Sequence, residues 1–114
     1  MQRKFRLTKS TDFKRVRRLG KSYAHPLVVL IKHPTKIETT RFGVSAGRSV
    51  GNAVRRNRAK RRLRECVRPQ IPILQTGWDV ILLARKPMAQ AKFADIESAV
   101  NTLLQRAGLY RNVH

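Results

Sequence analysis

Gly51-Asn52-Ala53-Val54-Arg55-Arg56-Asn57-Arg58-Ala59-Lys60-Arg61-Arg62-Leu63-Arg64-Glu65 is the stretch that decides the fold. Asn52 is a strong N-cap type, because its side-chain oxygen can accept from the free N–H groups of a first turn. Pro69 disfavours helical geometry at Arg68 and marks the stop. The helix so bounded, Asn52 to Arg68, holds seven Arg, one Lys and a single acid. At 1.5 Å rise its roughly 17 residues make a rod of about 25 Å. At 100° per residue Ala59, Leu63, Cys66 and Val67 gather into one apolar stripe. Asn57, Arg61, Arg64 and Arg68 fall opposite, Arg58 lies beside them, and Arg55, Lys60 and Arg62 take the flanks. Such a helix docks by one edge and offers cations around the rest. A solvated face ordinarily mixes signs, because like charges one turn apart repel. Here Arg61, Arg64 and Arg68 are such neighbours, with Glu65 as the only local relief. The surface is one that meets a polyanion.

The whole chain carries the same bias. Its 114 residues have a formal net charge of +20 and are 41% apolar. The length fits one domain, and the apolar content lets it fold around a modest core instead of behaving as a basic tail. The field attracts phosphate backbones, and Arg grips phosphate with a planar fork that Lys lacks. Nucleic acid is the expected partner. One cysteine excludes an internal disulfide and suits a reducing cytoplasm, with Cys66 read as a small core residue. No apolar run approaches ~20 residues, so no membrane span is expected. The basic start Met1-Gln2-Arg3-Lys4-Phe5-Arg6 lacks the apolar centre of a secretory signal. A membrane-surface role for the basic helix fits poorly, since its apolar edge is narrow and lacks Trp or Phe.

Outward from the helix, residues 1–9 read as a basic arm that frays or lies along an anionic partner. Ser10 or Thr11 caps a short helix through Leu19, with Asp12 at its positive end and Gly20 as its stop. In it Phe13 and Val16 share a face, while Lys14, Arg15 and Arg18 point elsewhere. Pro26 to Ile31 is an unbroken apolar run rich in β-branched residues, an interior strand covered on both faces. From Thr39 to Ala46 the pattern alternates: Phe42, Val44 and Ala46 on one face, Arg41, Gly43 and Ser45 on the other. Gly43 leaves a shallow spot where a backbone or ligand can come close. Residues 70–77 connect to a second buried strand, Trp78 to Ala84. Phe93, Ile96, Val100, Leu103, Leu104 and Ala107 then recur at helical steps, with Gly108 beyond and residues 110–114 as a loose tail. The fold class is α+β: one domain over 1–114, an αβ sandwich with one sheet, in the order helix, two or three strands, basic helix, strand, helix.

No catalytic constellation is legible. His25, His33 and His114 stand apart, with no cysteine at metal-ligand spacing. Six acids are scattered along the chain, and no pair is positioned by spacing for acid–base work. No phosphate-cradling Gly-rich loop or dinucleotide fingerprint occurs. Neither catalytic nor metal-binding residues are expected in this polypeptide.

The stretch Gly51 to Arg61 with Arg64-Glu65 resembles the Arg-Asn-Arg signature of the bacterial ribonuclease P protein subunit. Asp12-Phe13-Lys14-Arg15-Val16 followed by Gly20-Lys21-Ser22 resembles that family's first helix and turn. Arg41-Phe42-Gly43-Val44-Ser45 and Val80-Ile81-Leu82-Leu83-Ala84-Arg85-Lys86 resemble the strands on either side of the signature. The resemblance spans nearly all of residues 3–110. It implies a single RNA-binding domain over 1–114 in the order α-β-β-β-α-β-α, a sandwich like ribosomal protein S5 domain 2 with a left-handed βαβ crossover, where handedness statistics alone favour a right-handed one. It implies a holoenzyme whose RNA subunit hydrolyses precursor tRNA with Mg²⁺, the protein holding no metal itself. Its partners would be ribonuclease P RNA and the 5′ leader of precursor tRNA, with no protein partner and no membrane. Carried over by position, Asn52, Arg56, Asn57, Arg58, Lys60, Arg61 and Arg64 would bind the RNA subunit. Phe13 would line the leader cleft, where core packing is the competing role. Arg17 and Ile31 stand where some members carry further cleft aromatics. A structural ribosomal or general nucleic-acid-binding protein would share the charge but not the ordered motif set. A protein-only nuclease would cleave without RNA.

Overall fold

The computed structural model describes residues 1–111. Three helices, α1 (Ser10–Leu19), α2 (Ala53–Val67) and α3 (Phe93–Arg106), surround strands β1 (Lys21–Ala24), β2 (Val28–Pro34), β3 (Arg41–Ala46) and β4 (Trp78–Ala84). Short 3₁₀ turns at Arg3–Phe5, Arg48–Val50, Arg68–Ile73 and Lys86–Gln90 join them. The sheet runs β1-β2-β4-β3, with β1/β2 and β2/β4 antiparallel and β3/β4 parallel. Ile31 of β2 and Gly43 of β3 both stand opposite Ile81 of β4, which fixes the register across the centre.

Each central strand is buried on both faces, which is why its sequence is apolar without alternation. Toward α2 and α3, Val28, Leu30, Phe42, Val80 and Leu82 pack with Leu63, Cys66, Leu103 and Leu104. Toward α1, a smaller core joins Leu7, Val16, Ile31 and Ile81. Fully burying a large aliphatic side chain contributes about 1.5–3 kcal/mol, so α1 docks on little apolar surface and needs other ties.

β3, α2 and β4 form a βαβ unit whose hand follows from L-chirality. Viewed with its side chain toward the observer and the chain running upward, an L-residue in a strand points its N–H and C=O to the right. The Leu7 N–H donates to the Phe42 carbonyl (2.8 Å), on the side of β3 away from β4. The Phe42 side chain faces α2. Seen from α2, β4 therefore lies to the left, and the crossover is left-handed, against the usual preference.

Helix ends depart from expectation in instructive ways. Asn52 caps α2 as its chemistry predicts, its Oδ1 accepting from the Arg55 N–H at 3.0 Å. The stripe Ala59, Leu63, Cys66 and Val67 is the buried one. At α1, neither Ser10 nor Thr11 caps; Lys9 holds the cap position with no side-chain bond, and Ser10 is already helical. Gly20 ends α1 at an ordinary φ of −77°. It is small because a Cβ there would stand 2.5 Å from the Val16 carbonyl and 2.6 Å from Ile31 Cγ2. Phe93, counted on the apolar face of α3, is its first residue and is exposed. Gly108, beyond that helix, takes a left-handed φ of +68°.

The ends of the chain are tied down further than the sequence suggests. Within the supposed arm, Leu7 is buried and Arg6 bridges Phe42 in parallel, extending the sheet beside β3. Of the supposed loose tail, Tyr110 bridges Leu74 and donates its hydroxyl to Gln70 Oε1 at 2.5 Å. Arg111 donates its N–H to the Ile73 carbonyl at 2.9 Å. The remainder of that tail, 112–114, lies outside the described residues.

Candidate nucleic-acid interface

α1 packs across β2 and β4, leaving the same face of β3 as a furrow beside it. Phe13 reaches over from α1 to cover Gly43, so closely that a Cβ at Gly43 would lie 2.4 Å from Phe13 Cζ. The shallow spot foreseen at Gly43 is thus a seat for an aromatic ring. Beside that ring is a hollow of about 190 Å³ bordered by Arg6, Gly43, Val44 and Arg64. Further along the sheet, Arg17, Val29, Ser45, Leu83, Arg85 and Lys86 enclose about 440 Å³. Phe13 is half-buried, packing on the small core with part of its ring while lining the first hollow. Arg17 is exposed at the second hollow. Ile31 is 6% exposed and lies beneath α1, where it supports the furrow's wall without offering a surface.

Arg64 is the charged residue of α2 at the first hollow. Burial pushes its guanidinium below the usual range, and the nearby Arg6 pushes the same way. Arg64, with part of its water removed, faces a second cation in the exposed Arg6, and an anion placed there relieves both the burial of the one and the repulsion between the two. Elsewhere α2 divides its charge. Arg55, Arg58 and Arg62 surround a hollow of about 160 Å³ against Met88 and Gln90, and Arg62 Nη1 donates to the Ala91 carbonyl at 3.3 Å. Asn52, Asn57, Arg58 and Arg61 are exposed, while Arg56 and Lys60 are half-buried. The buried Nε of Arg56 finds no partner among the described residues.

A tie that spacing does not reveal holds α1 in place. Asp79 of β4 is wholly buried under α1 and accepts from Arg41 Nε and Nη2, both at 2.9 Å, and from Arg15 Nη2 at 2.9 Å. Arg15 also meets Asp12 at 3.0 Å. Contrary to the reading that sends Arg15 away from the packed face of α1, its guanidinium turns down to the sheet. The hydrogen bond to Asp79 pushes the Arg41 pKa above its ordinary value, against the opposing effect of burial. Arg15 and Arg41 lie 64 and 38 residues from Asp79 in sequence, and nothing in the local context of Asp79 announces the pairing.

Among the described residues no three His, Cys, Asp or Glu come together as a metal seat. Asp12 and Asp79 face guanidinium groups, which would repel a cation. Cys66 is buried, and desolvation, with Glu97 and Glu65 nearby, pushes its thiol up to about 11. It is held as a neutral packing residue near neutral pH. No helix among the described residues is long and apolar enough to cross a membrane.

A sandwich whose surplus positive charge lines a furrow and an exposed helix is, by class, an RNA-binding subunit. The family model described as Ribonuclease P matches residues 1–108, and the chain belongs to the ribonuclease P protein family. It is the protein component of the ribonucleoprotein endoribonuclease of tRNA 5′ processing, and ribonuclease P RNA is its partner. A ribonuclease P protein component from Herpetosiphon aurantiacus is 41% identical over 112 residues, 98% of this chain and 91% of that one. One from Clostridium novyi is 38% identical, over 96% of this chain and 99% of the relative. The structure of the Staphylococcus aureus RNase P protein gives a TM-score of 0.87 at 30% identity, covering 94% of this chain and 98% of that one. The Thermotoga maritima RNase P protein gives 0.80 at 28% identity, covering 89% and 96%.

Proposed function

We propose that the chain works on two RNA surfaces at once, in the cytoplasm. Asn52, Arg56, Asn57, Arg58, Lys60, Arg61 and Arg64 of the α2 segment engage the ribonuclease P RNA. The furrow of Phe13 and Arg17, backed by Ile31, takes the 5′ leader of precursor tRNA. The observation that carries this reading is the convergence of Arg6 and Arg64 beside the Phe13 ring, where a strand's phosphate and base can be held together. Base stacking is worth roughly 1–3 kcal/mol per base, and since Phe42, the other aromatic at that hollow, is buried, Phe13 is the ring left to stack and the grip leans on phosphate contacts.

In this reading the protein breaks no bond. Mg²⁺ belongs to the RNA subunit, where it supplies the hydrolytic chemistry. The polypeptide neutralises phosphates where leader and RNA subunit meet, favouring precursor over matured product and lowering the Mg²⁺ needed for activity. Arg64 borders the furrow, so it belongs to both surfaces and cannot separate them. Arg58 and Arg61, both exposed, report on the RNA subunit alone, and Phe13 on the leader.

The test is reconstitution with the cognate RNA, scoring tRNA 5′-end formation at limiting Mg²⁺. Arg58→Ala with Arg61→Ala should weaken assembly, whereas Phe13→Ala should chiefly weaken precursor that carries a leader. Equal losses on leaderless RNA would remove the two-surface assignment. Cleavage by the protein alone, or a ribozyme indifferent to it, would remove the proposal altogether.

A further inference from the structure

A fourth hollow, of about 460 Å³, lies at the far end of α2 between the turns Arg3–Phe5 and Arg68–Ile73. Its size falls within the roughly 300–1,000 Å³ of small-ligand sites. Phe5, Ile71 and Leu74 give it apolar walls, while Thr39, Gln75 and Thr76 bring polar groups to its lining. Arg68 and Arg111 border it and are both exposed. Arg111 is held there by its backbone N–H on the Ile73 carbonyl and its Nε on the Leu74 carbonyl, both at 2.9 Å. Its terminal nitrogens are then the ones that can take a ligand. Arg68 follows Arg64 by one helical turn, about 6 Å along the axis, so the basic row of α2 leads directly to the opening.

We propose that this hollow receives one unstacked nucleobase of the ribonuclease P RNA, with a neighbouring phosphate held by Arg68 and Arg111. The inference rests on the proposed binding of that RNA along α2. Apolar walls with an aromatic ring suit the faces of a base, the threonines and glutamine suit its edge, and the paired cations suit its backbone. RNA read in sequence is commonly read in this way, as single bases splayed from the strand. The placement favours the RNA subunit over the leader. Arg68, at the end of α2, borders the hollow, whereas neither Phe13, Arg17 nor any other residue of α1 reaches it.

Thr76 is exposed, so Thr76→Trp fills the opening without disturbing the core, and Arg68→Gln removes a cation while keeping helical propensity. The purified variants are mixed with the cognate RNA subunit, affinity is measured by filter binding, and 2′-hydroxyl acylation is mapped at single-nucleotide resolution. Each variant should bind about tenfold more weakly. One RNA position protected or exposed by the wild-type protein should return to its free reactivity with Thr76→Trp, while the footprint of α2 persists. Unchanged affinity and footprint in both variants would overturn the base site and leave the proposed function standing. A loss confined to the preference for precursor over mature tRNA would also overturn it, by making the leader the occupant. Failure of the wild-type protein to bind the RNA subunit at all would remove the proposed function and this inference with it.

Discussion

Asp79→Asn keeps the shape of the side chain and deletes the buried charge of β4 that Arg15 of α1 and Arg41 of β3 share, leaving the longer Asp12–Arg41 pair at 3.7 Å between α1 and β3. The wild-type carboxylate is 0% exposed, and its partners Arg41 and Arg15 are 19% and 39% exposed. Breaking a fully buried pair costs about 3–5 kcal/mol, but partly hydrated guanidinium groups recover some of that, which leaves about 2–3 kcal/mol here. With a urea m-value of about 1.5–2 kcal/mol/M, the unfolding midpoint should fall by about 1–2 M. In a thermal melt the same loss is roughly 10 °C. The double substitution Asp79→Asn with Arg41→Met should be less costly than the sum of the two, because removing both partners strands no charge. The furrow's wall is α1, so leader-dependent binding should drop with stability, while RNA-subunit affinity, carried by α2 across the sheet, should stay within about twofold. An Asp79→Asn protein within about 0.5 kcal/mol of wild type would refute the reasoning that charge, and not the four-residue apolar core, anchors α1.

Other consequences can be checked independently. Asn52→Ala should cost about 1 kcal/mol in a denaturant titration, since one N–H of the first turn of α2 loses its acceptor. The folded chain keeps the Cys66 proton up to about 11 against an ordinary value of 9.0, so it binds more protons than the unfolded chain in between. Its contribution to stability is complete below pH 9 and is lost as pH rises to about 11, with a slope of about 1.4 kcal/mol per pH unit that Cys66→Ala should abolish. If about five leader phosphates are neutralised, at a slope near −0.7 for each, leader-dependent affinity should fall of order 10²-fold between 50 and 200 mM salt. A flat salt response would contradict the electrostatic grip.

Much of this was legible in order of how local the signal is. The cap at Asn52, the stripe Ala59-Leu63-Cys66-Val67 and the alternation of β3 each depend on neighbours within a turn or a strand, and each formed as read. The twice-covered strands β2 and β4 were equally plain, because burial on both faces removes polar residues from the run. What could not be read depends on distant residues meeting. Asp79, the second residue of β4, reads like any isolated acid until the fold brings it under Arg15 and beside Arg41. Leu7 and Tyr110 lie in short polar contexts whose anchoring depends on Phe42, Leu74 and Gln70. Gly20 and Gly43 were recognisable as special, but only packing shows that the first makes room for a carbonyl and the second for a ring.

The pairing of Arg6 and Leu7 with Phe42 has a consequence for how so basic a protein behaves before it meets RNA. An open strand margin is a template for self-association, and β3 would present one beside an apolar core. The first residues of the chain seal that margin from within. The opposite margin, β1, is only four residues long and begins at a lysine. Mutual repulsion between copies and two blunted borders thus act together against edge-to-edge pairing of the free chain.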